Sequence, residues 1–212
     1  MNQKCLRTLG LLALLGTLLM DCSGQPTLAP QPSLQLLSWE QRQQQLSPLS
    51  RWEVLGKIRI QSATDDNSAN LNWEQHNDQY QIYMAGPLGQ GAVNIQGSEL
   101  TGITLEISGQ ERMHSTSPEQ LLYQQLGWET PISQIPFWIK GMPAPKTRHT
   151  KTLDSDSKLQ QLQQSGWTID YLSYHLDQQP QLPRKIRLQR GDSLTLTLIL
   201  KQWNLDSSTT PP

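Results

Sequence analysis

Between Arg51 and Gln61 the chain reads RWEVLGKIRIQ, and its apolar positions recur every second residue. Trp52, Val54, Gly56, Ile58 and Ile60 share one face while Glu53, Lys57, Arg59 and Gln61 share the other, the pattern of a half-buried strand. ANLNWEQ repeats it with Ala69, Leu71 and Trp73. His76-Asn77-Asp78-Gln79 then supplies a turn before YQIYMAG, which predicts a run of hairpins. The same reading places strands at Ala92 to Gln96, Leu100 to Ser108, Gln110 to Ser115, Leu159 to Gln164, Trp167 to Leu176, Lys185 to Gln189 and Leu194 to Trp203. The last pair is joined by Arg190-Gly191-Asp192-Ser193.

Three stretches break the meander. Leu34 to Leu46 (LQLLSWEQRQQQL) fits a short helix, with Leu34, Leu37, Gln41 and Gln45 roughly on one side. Ser117-Pro118-Glu119-Gln120 offers a hydroxyl cap with proline at the first helical position, which predicts a helix to Leu126 that stops at Gly127. A second apolar piece, Ile132 to Ile139, ends at Gly141 before the proline-broken loop MPAPK. Ten or so strands laid flat would leave generous open edges, so the sheet is expected to curl into a barrel or half-barrel with the helices over an open end. The inner face of such a sheet need not be filled by its own side chains. Trp52, Trp73, Trp167 and Trp203 lie at strand positions and Trp128 and Trp138 at the helices, where they either line an apolar cavity or form ordinary core.

The N-terminus has no part in this pattern. Lys4 and Arg7 precede an apolar run, Leu9 to Met20, that ends at Cys22, which reads as an export signal in residues 1–21. The run is shorter than the ~20 residues a helix needs to cross a bilayer. Leu19-Met20-Asp21-Cys22 resembles the lipobox of bacterial lipoproteins, in which the cysteine is acylated; Asp21 departs from the small residue that pattern places there. The alternative is a plain secretory signal followed by a chance cysteine. Residues 22–33, with SGQPTLAPQPS, suit a flexible tether, leaving 34–212 as one domain. Removal of the signal would leave one cysteine, so no internal disulfide is expected. A net charge of −1 gives no basic footprint for nucleic acid.

Catalytic chemistry finds little support. His76, His114, His149 and His175 are dispersed and no metal site is expected. Asp154 and Asp156 in LDSDSKL fit either a carboxylate pair or a turn whose carboxylates bond local amides, and the turn is the favoured reading. No G-x-S-x-G elbow or phosphate-binding glycine loop is present, so no catalytic residue is assigned. One loop stands out. GPLGQG, residues 86–91, caps a predicted hairpin with Leu88 at its tip, where the leucine either folds back onto a neighbour or meets a bilayer or a partner's groove.

Taken in order, W-E-V-L-G-K-I-R-I, S-A-N-L-N-W, A-G-P-L-G, S-P-E-Q-L-L-Y-Q-Q-L-G-W, P-F-W-I-K-G-M-P-A-P, L-Q-Q-S-G-W-T-I-D-Y and L-P-R-K-I-R-L resemble the LolB family of outer-membrane lipoprotein receptors. The resemblance implies a mainly β fold, an incomplete, half-open antiparallel barrel of about 11 strands with short helices covering or filling the open side. It implies an anchored protein at the periplasmic face of the outer membrane, N-acyl diglyceride on Cys22 and no other cofactor. Such a protein, expected as a monomer, takes the lipidated N-termini of lipoproteins from a LolA-like periplasmic carrier and inserts them into outer-membrane lipid. Pro87, Leu88 and Gly89 would be the insertion loop. Trp52, Ile58, Trp73, Ile82, Trp138 and Ile169 are the candidates for an acyl-chain cavity, and Ser23 after the cysteine fits sorting to the outer membrane. The alternative is a periplasmic lipid-binding or structural lipoprotein without insertion activity.

Overall fold

The computed structural model describes residues 37–127 and 130–205. Cys22, the signal and tether, Leu34 and Trp128 lie outside the described residues, which all belong to one compact unit, Leu36–Pro212. Eleven strands form a single antiparallel sheet: β1 (Arg51–Ser62), β2 (Asp66–His76), β3 (Gln79–Ala85), β4 (Val93–Ser98), β5 (Gly102–Ile107), β6 (Met113–Ser115), β7 (His149–Leu153), β8 (Leu159–Gln164), β9 (Trp167–Tyr174), β10 (Pro183–Arg190) and β11 (Leu194–Leu205). Their spatial order is β6-β5-β4-β3-β2-β1-β11-β10-β9-β8-β7, so the first and last strands pair at the centre. The two edges, β6 and β7, are consecutive in the chain. Among the described residues they do not pair with each other, which leaves the barrel incomplete as expected.

Period-two alternation set this sheet correctly in β1 and β2, where Trp52, Val54, Leu71 and Trp73 are buried and Lys57 and Glu74 are exposed. One strand was not anticipated. β7 (HTKTL) is exposed at four of its five positions, because an edge strand with no apolar face carries no alternation to detect. At β1 the register against β11 shifts between Leu55 and Gly56, and a Cβ on Gly56 would stand 2.1 Å from the Ile199 carbonyl oxygen. Glycine is therefore required there by close approach of two backbones.

The helices differ from expectation at their ends. α1 runs only over Trp39–Leu46, because Ser38 forms a capping box: its Oγ accepts from the Gln41 N–H at 3.3 Å while Gln41 Oε1 accepts from the Ser38 N–H at 2.8 Å. α2 (Pro118–Leu126) stops at Gly127, whose φ of 79° lets its N–H reach the Tyr123 carbonyl at 2.9 Å. The predicted hydroxyl cap is absent: Ser117 makes no side-chain cap bond, and its own N–H donates to Ser115 Oγ. α3 is one turn, Ile135–Trp138, within the longer apolar stretch. Among the described residues no helix is long and apolar enough to cross a membrane.

Strand register places several loops together. Gln61 pairs with Asp66, Asn70 with Ala85, Met84 with Val93, His149 with Gln164, Gln164 with Trp167, and Arg190 with Leu194. The β1–β2, β3–β4, β8–β9 and β10–β11 turns, and the segment entering β7, therefore all lie at one end of the sheet.

Candidate functional site

On the inner face of β1 to β4, β10 and β11 lies a cavity of about 530 Å³. That volume falls within the ~300–1,000 Å³ typical of ligand pockets. Its walls are supplied by alternation: Ile58 and Ile60 from β1, Leu71 and Trp73 from β2, Ile82 and Met84 from β3, Val93 and Ile95 from β4, Leu188 from β10, and Leu196 and Leu198 from β11. Ile132 and Ile135, from the chain that connects the two sheet edges, close it on the open side. Asn67, Ser68, Gln90 and Thr130 are its polar members, and no ionisable side chain lines it among the described residues. A site so built can hold an apolar group and offers nothing for acid–base chemistry.

Gly86, Pro87, Gln90 and Gly91 of the β3–β4 loop also line the cavity, so this loop forms part of its wall. Pro87–Gly89 makes a single 3-10 turn, in which the Gly89 N–H donates to the Gly86 carbonyl at 3.1 Å, and the Gly86 N–H donates to the Gln90 carbonyl at 2.9 Å across the base of the loop. Leu88 at its tip is 100% exposed and has left-handed backbone angles, φ 57° and ψ 23°. The alternative in which it folds back onto the domain does not occur. A leucine held in an unfavoured conformation and fully in water is left with no packing role in the isolated domain.

Of the six cavity candidates, Ile58, Trp73 and Ile82 line this space; Trp52, Trp138 and Ile169 do not. Trp52 lies about 20 Å along β1 from Ile58 at strand rise. Its ring is 5.6 Å from Trp73 and 5.4 Å from Trp203, a cluster that seals the far end behind Trp73. Trp138 is fully buried over the β8–β9 side, where Nε1 donates to Gln164 Oε1 at 2.8 Å and its ring lies 6.2 Å from Trp167. Tyr171 Oη donates to the Trp138 carbonyl at 2.9 Å and fixes α3 there. Ile169, also fully buried, belongs to that filled half. The concave face is thus divided: the helical connection packs one side and leaves the other hollow. Alternation identifies inward residues on both sides alike, and so missed Leu71, Met84, Val93, Ile95, Leu188, Leu196 and Leu198 as lining.

The other candidates are structural. Asp154 Oδ1 accepts from the Asp156 and Lys158 N–H groups at 2.9 and 2.8 Å, and both carboxylates pair with the buried Lys158. Hydrogen bonding from Lys158 holds the Asp156 carboxyl below its usual range. Among the described residues no three His, Cys, Asp or Glu side chains gather as a metal site. Lys140, after α3, is buried with Nζ donating to the Leu49 carbonyl at 2.8 Å and lying 5.4 Å from the Phe137 ring centre; burial lowers its pKa to about 8.

Comparison with known proteins agrees with this architecture. Over 78% of this chain and 81% of it respectively, a DUF1329 family protein from Desulfovibrio piger and a LolA superfamily protein from Nitrosomonas europaea each superpose with a TM-score of 0.53. They cover 90% and 94% of those chains at 7% and 8% identity, which is a likeness of fold. Sequence relatives are nearer. The outer-membrane lipoprotein LolB of Pseudomonas syringae pv. syringae is 42% identical over 165 residues, 78% of this chain and 80% of the relative. That of Pseudomonas aeruginosa is 41% identical over 166 residues, with the same coverage. The family described as "Outer membrane lipoprotein LolB" matches residues 50–203, and with the half-open sheet, hollow inner face and exposed leucine in place, this chain belongs to the LolB family of outer-membrane lipoproteins.

Proposed function

We infer that the protein receives the acyl chains of other lipoproteins in its cavity and releases them into the outer membrane. The observation that carries the reading is the continuity of two features: one loop both walls an apolar cavity and presents a fully exposed leucine. The chain acts from the periplasmic face as a monomer, anchored by N-acyl diglyceride on Cys22, and accepts cargo from a LolA-like carrier. Each methylene moved from water into apolar surroundings gains about 0.8 kcal/mol, so acyl chains bind firmly and leave only for a better apolar acceptor. A bilayer is that acceptor. Transfer then needs a gradient of apolar affinity from carrier to cavity to membrane, with no covalent step and no nucleotide.

The test is binding of a fluorescent fatty acid, displaced by a lipidated peptide, to the chain from Ser23 onward, which retains the whole Leu36–Pro212 unit. Ala69→Phe, which fills the hollow from β2, should abolish binding while leaving the domain folded. Binding that survives the filled cavity, or absence of binding in the unaltered chain, sinks the reading. The anchor is tested separately by mass: the native chain should carry acyl groups and Cys22→Ala should not.

A further inference from the structure

A second, polar groove of about 940 Å³ lies at the same end of the sheet as the Leu88 loop, formed by the segment entering β7 and the β8–β9 turn. Lys146, Arg148 and His149 line it together with hydroxyl and amide side chains, and no carboxylate is among its lining residues. Lys146 and Arg148 are exposed, and no ion pair to either is present among the described residues. In a chain of net charge −1 this is a local concentration of positive charge.

The groove is also built to hold its shape. Gln164, only 2% exposed, accepts from the Ala144 N–H at 2.9 Å and donates to the Ala144 and Thr147 carbonyls at 2.8 and 3.2 Å, so it clamps the segment that carries the two cations. On the opposite wall, Arg190 donates to the Ser165 carbonyl at 2.9 Å and lies 6.0 Å from the Trp167 ring, which fixes the β8–β9 turn. A buried amide bonded to the Ala144 and Thr147 backbone, and to the Trp138 indole as well, positions a basic loop instead of merely leaving it in solvent.

We propose that this groove seats the phosphate headgroups of anionic lipids in the membrane that the Leu88 loop enters. The proposal rests on the reading of that loop as membrane-facing. Strand register puts loop and groove at one end of the sheet, on opposite flanks of its centre, the end that the membrane would face. The apolar tip and the basic flank would together give the domain two contacts with a bilayer, which sets the tilt of the cavity toward it. Attraction of this kind reaches only about 8 Å at physiological salt, so it acts on a surface already at hand.

The chain from Ser23 onward is mixed with vesicles of phosphatidylcholine alone, or of phosphatidylcholine with phosphatidylglycerol, and bound protein is measured by sedimentation. Lys146→Gln with Arg148→Gln should lower binding to the anionic vesicles by about 30-fold, leave binding to the neutral ones unchanged, and leave fatty-acid binding intact. Equal binding of variant and native protein to anionic vesicles overturns the proposal, as does an equal loss on neutral ones. Normal vesicle binding with lost acceptance of cargo from the carrier would assign the groove to an acidic protein and also overturn it. Failure of fatty-acid binding in the native chain, with charge-dependent adsorption retained, would sink the acyl-cavity reading and leave the headgroup groove standing.

Discussion

Replacing Leu88 by glutamate separates insertion from folding. The side chain is fully exposed, so the substitution removes no packing, and surface changes of that kind stay within about 0.5 kcal/mol. For a domain of this size that is a shift in Tm of no more than about 2 °C. Burial of a leucine in hydrocarbon is worth ~1.5–3 kcal/mol, a factor of roughly 10 to 150 in partition, and a carboxylate at the same tip adds a cost of its own. Delivery of a lipidated cargo from the loaded protein to vesicles should therefore fall by at least about tenfold. Uptake of cargo should persist, because Leu88 is not among the cavity's lining residues. Leu88→Gly sharpens the experiment: it deletes the apolar tip while relieving a φ of 57°, so insertion should drop with stability kept or raised. A loss of ~2–5 kcal/mol on either change would mean a core leucine, and unimpaired delivery would remove the loop from the mechanism.

Gly56→Ala forces a methyl against the Ile199 carbonyl and should lower stability in urea by ~1–3 kcal/mol or more; a neutral result would show that β1 and β11 separate there easily. Lys140→Met tests burial of a cation. Burial lowers its pKa to about 8 from the usual 10.5, so the unfolded chain holds the extra proton between these values and the native protein gains stability as pH rises through that window. The variant should gain relative to the native protein below pH 8, and that difference should shrink by up to ~3 kcal/mol toward pH 10.5; denaturation curves with parallel pH dependence would contradict it. Trp138→Ala should cost ~3–5 kcal/mol, whereas fatty-acid binding per folded molecule should be retained, because Trp138 packs the filled half of the sheet and not the hollow half.

The strand pattern was legible because most strands here bury one face. β7 was not, since a polar edge strand differs little from a loop in composition. The Ser38–Gln41 capping box lay in plain view and would have started α1 five residues later than the leucine pattern did, at Trp39 and not Leu34. In the cavity, period two placed Ile58, Trp73 and Ile82 inward, but it placed Trp52 and Ile169 inward as well. What divides lining from filling is the short α3 turn and its bonds to Gln164 and Tyr171, contacts distant in sequence that no local pattern reports. The Leu88 loop was the most readable element, because turn residues around a bare leucine conflict with burial by themselves.

Pairing of β1 with β11 at the middle of the sheet has a kinetic consequence. Trp52 sits opposite Leu205, so the central ladder joins the two ends of the domain, and pairings so far apart in sequence are slow to close. During synthesis β1 to β6 can pair as one meander and β7 to β10 as another, yet the hollow lacks Leu196 and Leu198 until the final strand arrives. Acyl-binding competence is therefore acquired last, in one step, and a nascent chain truncated before Leu194 exposes the two longest edges of the sheet without ever having formed a pocket.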